Sequence, residues 1–255
     1  MTDTAYTPKL LVPDSAAMPA HMRVSHHLDV LQEMRDPAVT TALYVPRWSD
    51  TTQAAFNRLA QQRANGDGDY GTSQSYGLND ESMPGRLRSH LQQGNIQFMY
   101  TALSLDRRDE AEHVLTEVAT QQLAFIETIT NVCSSSRLHL LYEVINAGPQ
   151  DSSYLTYKPH TPHNTAAHTD TQTHGLFTHP VGTVLVDQEG LDIPALRSAH
   201  GNYHTIRLTD LADRLWQASQ ASFALWRGED SGNPQYHLIP HVPRESRRAR
   251  LFAYP

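Results

Sequence analysis

His168-Thr169-Asp170 carries the clearest chemical potential in the chain. In an extended segment positions i and i+2 project to one side, so this imidazole and this carboxylate can take adjacent positions on one metal ion. A third ligand has to come from elsewhere. His241 is placed best for it, about seventy residues later, after a strand-like run and just before Pro243. His237 shares its parity and is the second choice. Composition points the same way: fifteen histidines stand beside only two lysines, Lys9 and Lys158, and five of the histidines fall between positions 160 and 179. Neutral imidazole is the commonest metal ligand, whereas a protonated lysine has no lone pair to offer.

Two imidazoles and one carboxylate on one face leave open positions on the ion, the ligand set of non-haem iron(II) oxygenases. Arg250 adds a second element of that chemistry. It lies nine residues past His241 and opens the last apolar run, Leu251-Phe252-Ala253-Tyr254. A guanidinium there can pair bidentately with a carboxylate; Arg248, of the same parity, is the alternative. The order HxD, distal histidine, arginine resembles that of the jelly-roll oxygenases that depend on iron(II) and 2-oxoglutarate. That resemblance implies iron(II) held by His168, Asp170 and His241, with 2-oxoglutarate paired to Arg250. Because Asp170 is retained, it also implies hydroxylation or desaturation of a small-molecule substrate by dioxygen. Tyr157, Phe177 and Trp226 are the aromatic residues expected at the substrate pocket, and the glycine-rich segment 65–77 is a candidate lid.

These groups need elements to position them. At 255 residues and 39% hydrophobic composition the chain can bury a sizeable core. Apolar spacing predicts helices over 26–34, over 50–64 behind the cap Asp50, and over 107–132, where Val114, Val118, Phe125, Ile126 and Ile129 keep a helical stripe. A β-branched and apolar run predicts a strand at 40–45. From Arg137 the pattern changes to short β-type runs at 154–157, 182–186, 203–208, 222–226, 236–239 and 248–254, as in a sandwich or barrel. A short helix near 193–198 and a helical stretch over 210–217 interrupt them. Segment 65–77, with four glycines, reads as a loop, and residues 1–20 as a loose N-terminal arm. The expected class is α+β, a single integrated domain over 1–255. Mainly helical support over 21–135 flanks a β-rich double-stranded β-helix core, jelly-roll or cupin-like, over 136–255.

The remaining composition narrows the partners. A formal charge of −7 argues against a general nucleic-acid or anionic-membrane binder, which needs a cationic face. No apolar run approaches the roughly 20 residues of a membrane span. No secretory signal pattern opens the chain, and the single Cys133 precludes internal disulfides, so the expectation is a cytoplasmic protein, with base rates leaving a homodimer open. There is no GxSxG, phosphate loop, GxGxxG or CxxC. Cys133 has no basic neighbour at motif spacing and reads as buried and inert. His160 and His163 read as loop residues; His174 and His179 bracket a strand with opposite parity, so that one of them can face the site.

A further resemblance spans most of the chain. Arg35-Asp36-Pro37-Ala38-Val39 and Leu43-Tyr44-Val45-Pro46-Arg47, followed by a helix, look like the opening of a bacterial family, domain-of-unknown-function family 1826. Its histidine-x-aspartate motif is comparable with His168-Thr169-Asp170, its glycine-threonine strand with Gly182-Thr183-Val184-Leu185-Val186, and its closing histidine with His241-Val242-Pro243-Arg244. Ala167 stands where that family has phenylalanine, and Val242-Pro243 where it has arginine-serine-proline. Members are linked to zinc-limitation regulons. The resemblance therefore implies zinc as the alternative metal and a non-catalytic metal-binding protein on a cupin-like scaffold as the alternative function.

Overall fold

A computed structural model of the chain describes residues 7–15, 17–61, 70–99, 108–147, 166–168, 173–179, 182–192, 195, 205–207, 211–238 and 246–255. The apolar stripes fold as helices: α1 (Asp50–Gln61), α2 (Met83–Met99) and α3 (Arg108–Val132), with a 3-10 helix at Leu28–Arg35. The β-type runs form two sheets. One has six strands in the order β1 (Lys9–Leu11), β10 (Leu215–Ala218), β8 (Val184–Val186), β12 (His237–Leu238), β6 (Ala166–His168) and β9 (Thr205–Arg207). The other has seven, in the order β2 (Met22–Ser25), β3 (Thr41–Tyr44), β11 (Ser222–Trp226), β7 (His174–His179), β13 (Ser246–Tyr254), β5 (Arg137–Ala147) and β4 (Tyr70–Gly77). Pairing is antiparallel except for β1 with β10 and β2 with β3. From β5 onward the chain passes repeatedly between the sheets: β5, β7, β11 and β13 lie in one, and β6, β8, β9, β10 and β12 in the other.

Two cores follow from the alternation of side chains along each strand. Phe177, Phe223, Leu225, Leu251, Ala253, Leu140 and Tyr142 leave the seven-stranded sheet on one side and join Phe56, Val114, Val118, Phe125 and Ile129 of the helices. The intervening positions Leu176, Ala224 and Trp226 leave on the other side and meet Leu11, Leu185, Trp216 and Ala218 of the six-stranded sheet. The sheets thus face each other, and the helices cover the outer face of the larger one. Two glycines allow that cover to sit close: a Cβ at Gly175 would stand 2.8 Å from Phe125 and one at Gly94 2.5 Å from the ring of Tyr142. Among the described residues no helix is long and apolar enough to cross a membrane.

Four elements differ from the sequence expectation. Within the expected loop 65–77, Tyr70–Gly77 is an edge strand in continuous register with β5, so this stretch is not a free lid. Its sequence is polar because only its neighbour, and no burial of its own beyond Tyr76, dictates the strand. Within the expected N-terminal arm, Lys9–Leu11 pairs with β10 and Leu11 is fully buried. The expected helix over 210–217 is a short 3-10 turn followed by strand β10, an ambiguity inherent in short apolar runs. Helix α2 has no counterpart among the expected elements. The expected strand 154–157 and all but Ala195 of the expected helix 193–198 fall outside the described residues.

Candidate metal centre

Strand β6 ends on His168, and its partner across the ladder is His237, the first residue of β12. His237 is at the same time opposite Leu185 of β8, so β12 sits between the two strands that flank it. Asp170, His241 and Tyr157 lie outside the described residues. Arg250 is in β13, in the other sheet, opposite Thr178 of β7 and Glu143 of β5, and Arg248 is opposite Ile145.

The space between the sheets is filled by rings. His237 is 5% exposed, and its ring centroid is 5.1 Å from that of Trp226 in the facing sheet. Trp226 stacks on His174 at 5.6 Å with an interplanar angle of 5°. His174 meets Tyr254 edge-on at 4.3 Å, and Phe252 is 6.3 Å away. An imidazole from each sheet therefore lies against one indole. Of His174 and His179, it is His174 whose described side chain enters this space. Sequence parity alone left the two equivalent, because it does not tell which face of β7 the helices cover.

The aromatic residues expected to line a pocket separate on this geometry. Phe177 leaves β7 on the helix side, fully buried, 4.7 Å from Phe223 and 6.5 Å from Phe56 in ring-centroid distance. It does not line the space between the sheets, because Leu176 and His174 take that face. Trp226 does face that space but is 1% exposed, packed between histidines as part of the filled interior. Cys133 fits its inert reading: burial pushes its thiol pKa up to about 11, leaving it protonated at neutral pH.

A second group of ligand-type side chains was not foreseen. His21, in the turn before β2, meets Asp187 and Glu189, in the turn after β8, with one donor atom from each within 4.8 Å of the others. His21 Nδ1 is 4.0 Å from Asp187 Oδ1. Burial lowers the His21 pKa, against the opposing pull of Asp187. No sequence spacing brings these residues together; only the facing of the two sheets does.

No family model matches the chain, and no curated protein matches it. Among solved structures it is similar to a rice dioxygenase for auxin oxidation, with 13% identity over 91% of this chain and 81% of that one, at a TM-score of 0.41. It is similar also to Neurospora crassa T7H in complex with alpha-KG, with 10% identity over 89% and 78% and a TM-score of 0.35. A third is an oxidoreductase of the 2OG-Fe(II) oxygenase family from Burkholderia pseudomallei, with 9% identity over 97% and 94% and a TM-score of 0.34. At these scores the weight rests on strand order and register instead.

Proposed function

We propose that the chain is a non-haem iron(II)/2-oxoglutarate-dependent oxygenase acting on a small molecule, built on a double-stranded β-helix. The sheet orders support the scaffold: β5-β13-β7-β11 facing β6-β12-β8-β10 is the arrangement of an eight-stranded jelly roll. The observation that carries the function is the ladder pair His168–His237. It pairs His168, the last residue of β6 and the first of the HxD motif, with His237 at the start of β12, and directly opposed positions of an antiparallel pair share a face.

His168 and Asp170 supply two ligands in this proposal, and the segment 237–241 supplies the third. The ladder favours His237, while the spacing to Arg250 favours His241. The donor set fits the ion: neutral imidazoles and a carboxylate suit iron(II) and leave positions open. Arg250, with Arg248 as alternate, binds the distal carboxylate of 2-oxoglutarate from the facing sheet. The aromatic packing of His174, Trp226 and Tyr254 keeps water from the floor of the site. Iron(II), 2-oxoglutarate and dioxygen together supply the oxidising power for a substrate C–H bond.

The test is anaerobic addition of iron(II) and 2-oxoglutarate. A weak visible charge-transfer band is expected, absent in His168→Ala and lost or weakened in Arg250→Ala. Comparing His237→Ala with His241→Ala identifies the third ligand. Iron binding without the band, and without turnover of 2-oxoglutarate to succinate, overturns the proposal in favour of a metal-binding protein.

A further inference from the structure

The His21–Asp187–Glu189 cluster is built from other residues than the strand ends just described, and three observations make it more than a chance meeting of charges. First, the donor set is mixed. One imidazole faces two carboxylates, and neutral imidazole with carboxylate oxygens is a ligand set for divalent first-row ions. Second, the three donor atoms lie within 4.8 Å of one another, and the 4.0 Å between His21 Nδ1 and Asp187 Oδ1 exceeds any hydrogen-bond distance, so the imidazole and this carboxylate face each other without a direct hydrogen bond. Third, His21 Nε2 is buried with no hydrogen-bond partner among the described residues.

The backbone around the cluster is already ordered. Asp187 N–H donates to the Arg214 carbonyl at 2.8 Å, and Arg214 Nη1 donates to the Glu189 carbonyl at 2.7 Å. The Glu189 N–H donates to Asp187 Oδ1 at 3.1 Å, leaving the other carboxylate oxygen of Asp187 for a ligand. On the His21 side, its carbonyl accepts from the Thr40 N–H at 2.9 Å. Only the exposed Glu189 side chain has to swing in. A cleft of about 310 Å³ lined by His21, Thr40, Gln188 and Glu189 provides the way in.

We propose that His21, Asp187 and Glu189 form a second metal site, separate from the iron centre, which binds a divalent first-row ion such as zinc and staples the turn before β2 to the turn after β8. The ion would join the seven-stranded sheet to the six-stranded one at a place where only side chains now meet. Binding to the folded state alone stabilises it, so zinc should raise the melting temperature.

The test uses full-length His168→Ala/Asp170→Ala protein, stripped of metal, so that the iron centre does not contribute. Calorimetric titration with zinc should give one site, together with a zinc-dependent rise in Tm. Adding Glu189→Gln should weaken zinc at least tenfold and abolish the Tm rise, and His21→Gln should do the same. Glu189 is exposed, so its variant keeps the fold and remains decisive even if Asp187→Asn does not fold. No zinc binding in the double variant, or unchanged affinity in Glu189→Gln, overturns the proposal. The 2-oxoglutarate band, read separately on the unaltered chain, is unaffected by either outcome.

Discussion

The two faces of the seven-stranded sheet are built from alternate residues of the same strands, yet they differ in chemistry. Toward the helices, Phe177, Phe223, Leu251 and Tyr142 interlock with Phe56, Phe125 and Ile129. There Asn95 and Gln122 exchange two hydrogen bonds, and Tyr142 Oη donates to Asn95 at 2.7 Å. Toward the second sheet, His174 stacks on Trp226 and His237 lies tilted against it, beside the buried Gln235, which accepts from Thr40 and Thr41. An amide network of this kind fixes helix to sheet and does nothing else. Imidazoles between sheets can also ligate and titrate. The proposed function would divide stability and chemistry between the two sides of one sheet, and that division can be tested experimentally.

The largest effect is expected on the inner side and on chemistry alone. His168→Ala should abolish the iron(II)/2-oxoglutarate band while leaving far-ultraviolet circular dichroism unchanged. Were it to unfold the protein instead, the strand end would be core and not site. On the helix side the reverse is expected. Phe177→Ala removes a ring that touches Phe223, Phe56 and Trp48 and should cost about 3–5 kcal/mol in urea denaturation. The band should persist in whatever protein stays folded, and its loss would mean that the two faces are coupled. A smaller loss is expected for Asn95→Ala, which strands the Gln122 amide and the Tyr142 hydroxyl: about 1–3 kcal/mol, again with the band intact.

How much of this was readable beforehand depends on where the instruction lies. Helix α3 and strand β11 announce themselves, because a stripe at 3.6 spacing and a run of buried apolar residues are local signals. Strand β4 does not, since Tyr-Gly-Thr-Ser-Gln-Ser-Tyr-Gly is extended only because β5 offers it a ladder. The HxD motif is local and was visible. The placement of His237 opposite His168 is not local, because it depends on the register of β12 between β6 and β8. The His21–Asp187–Glu189 cluster is less local still, drawing on turns from two different sheets. The sequence suggests a pocket for Phe177 because an aromatic residue near a motif looks alike whichever face it leaves by; only the helices packed on β7 decide the matter.

The smallest effect expected is at the edge of the helical layer, where Glu117 of α3 ties down the start of α1. Its carboxylate accepts hydrogen bonds from the Ser49 N–H at 2.9 Å and Ser49 Oγ at 2.7 Å, and from the Thr52 hydroxyl. Burial works against ionisation, but these bonds outweigh it, and the pKa falls below its ordinary 4.5. A carboxylate whose pKa is lower in the folded than in the unfolded chain contributes stability that is fully present above the unfolded value. That contribution disappears as pH falls through the folded one. Glu117→Gln should therefore destabilise by about 1 kcal/mol at pH 7, the scale of a lost helix cap. The difference from the unaltered chain should shrink as pH is lowered through and below 4.5. Urea midpoints for the two proteins across that range provide the measurement; a gap that stays constant with pH would show that the glutamate acts by shape and not by charge.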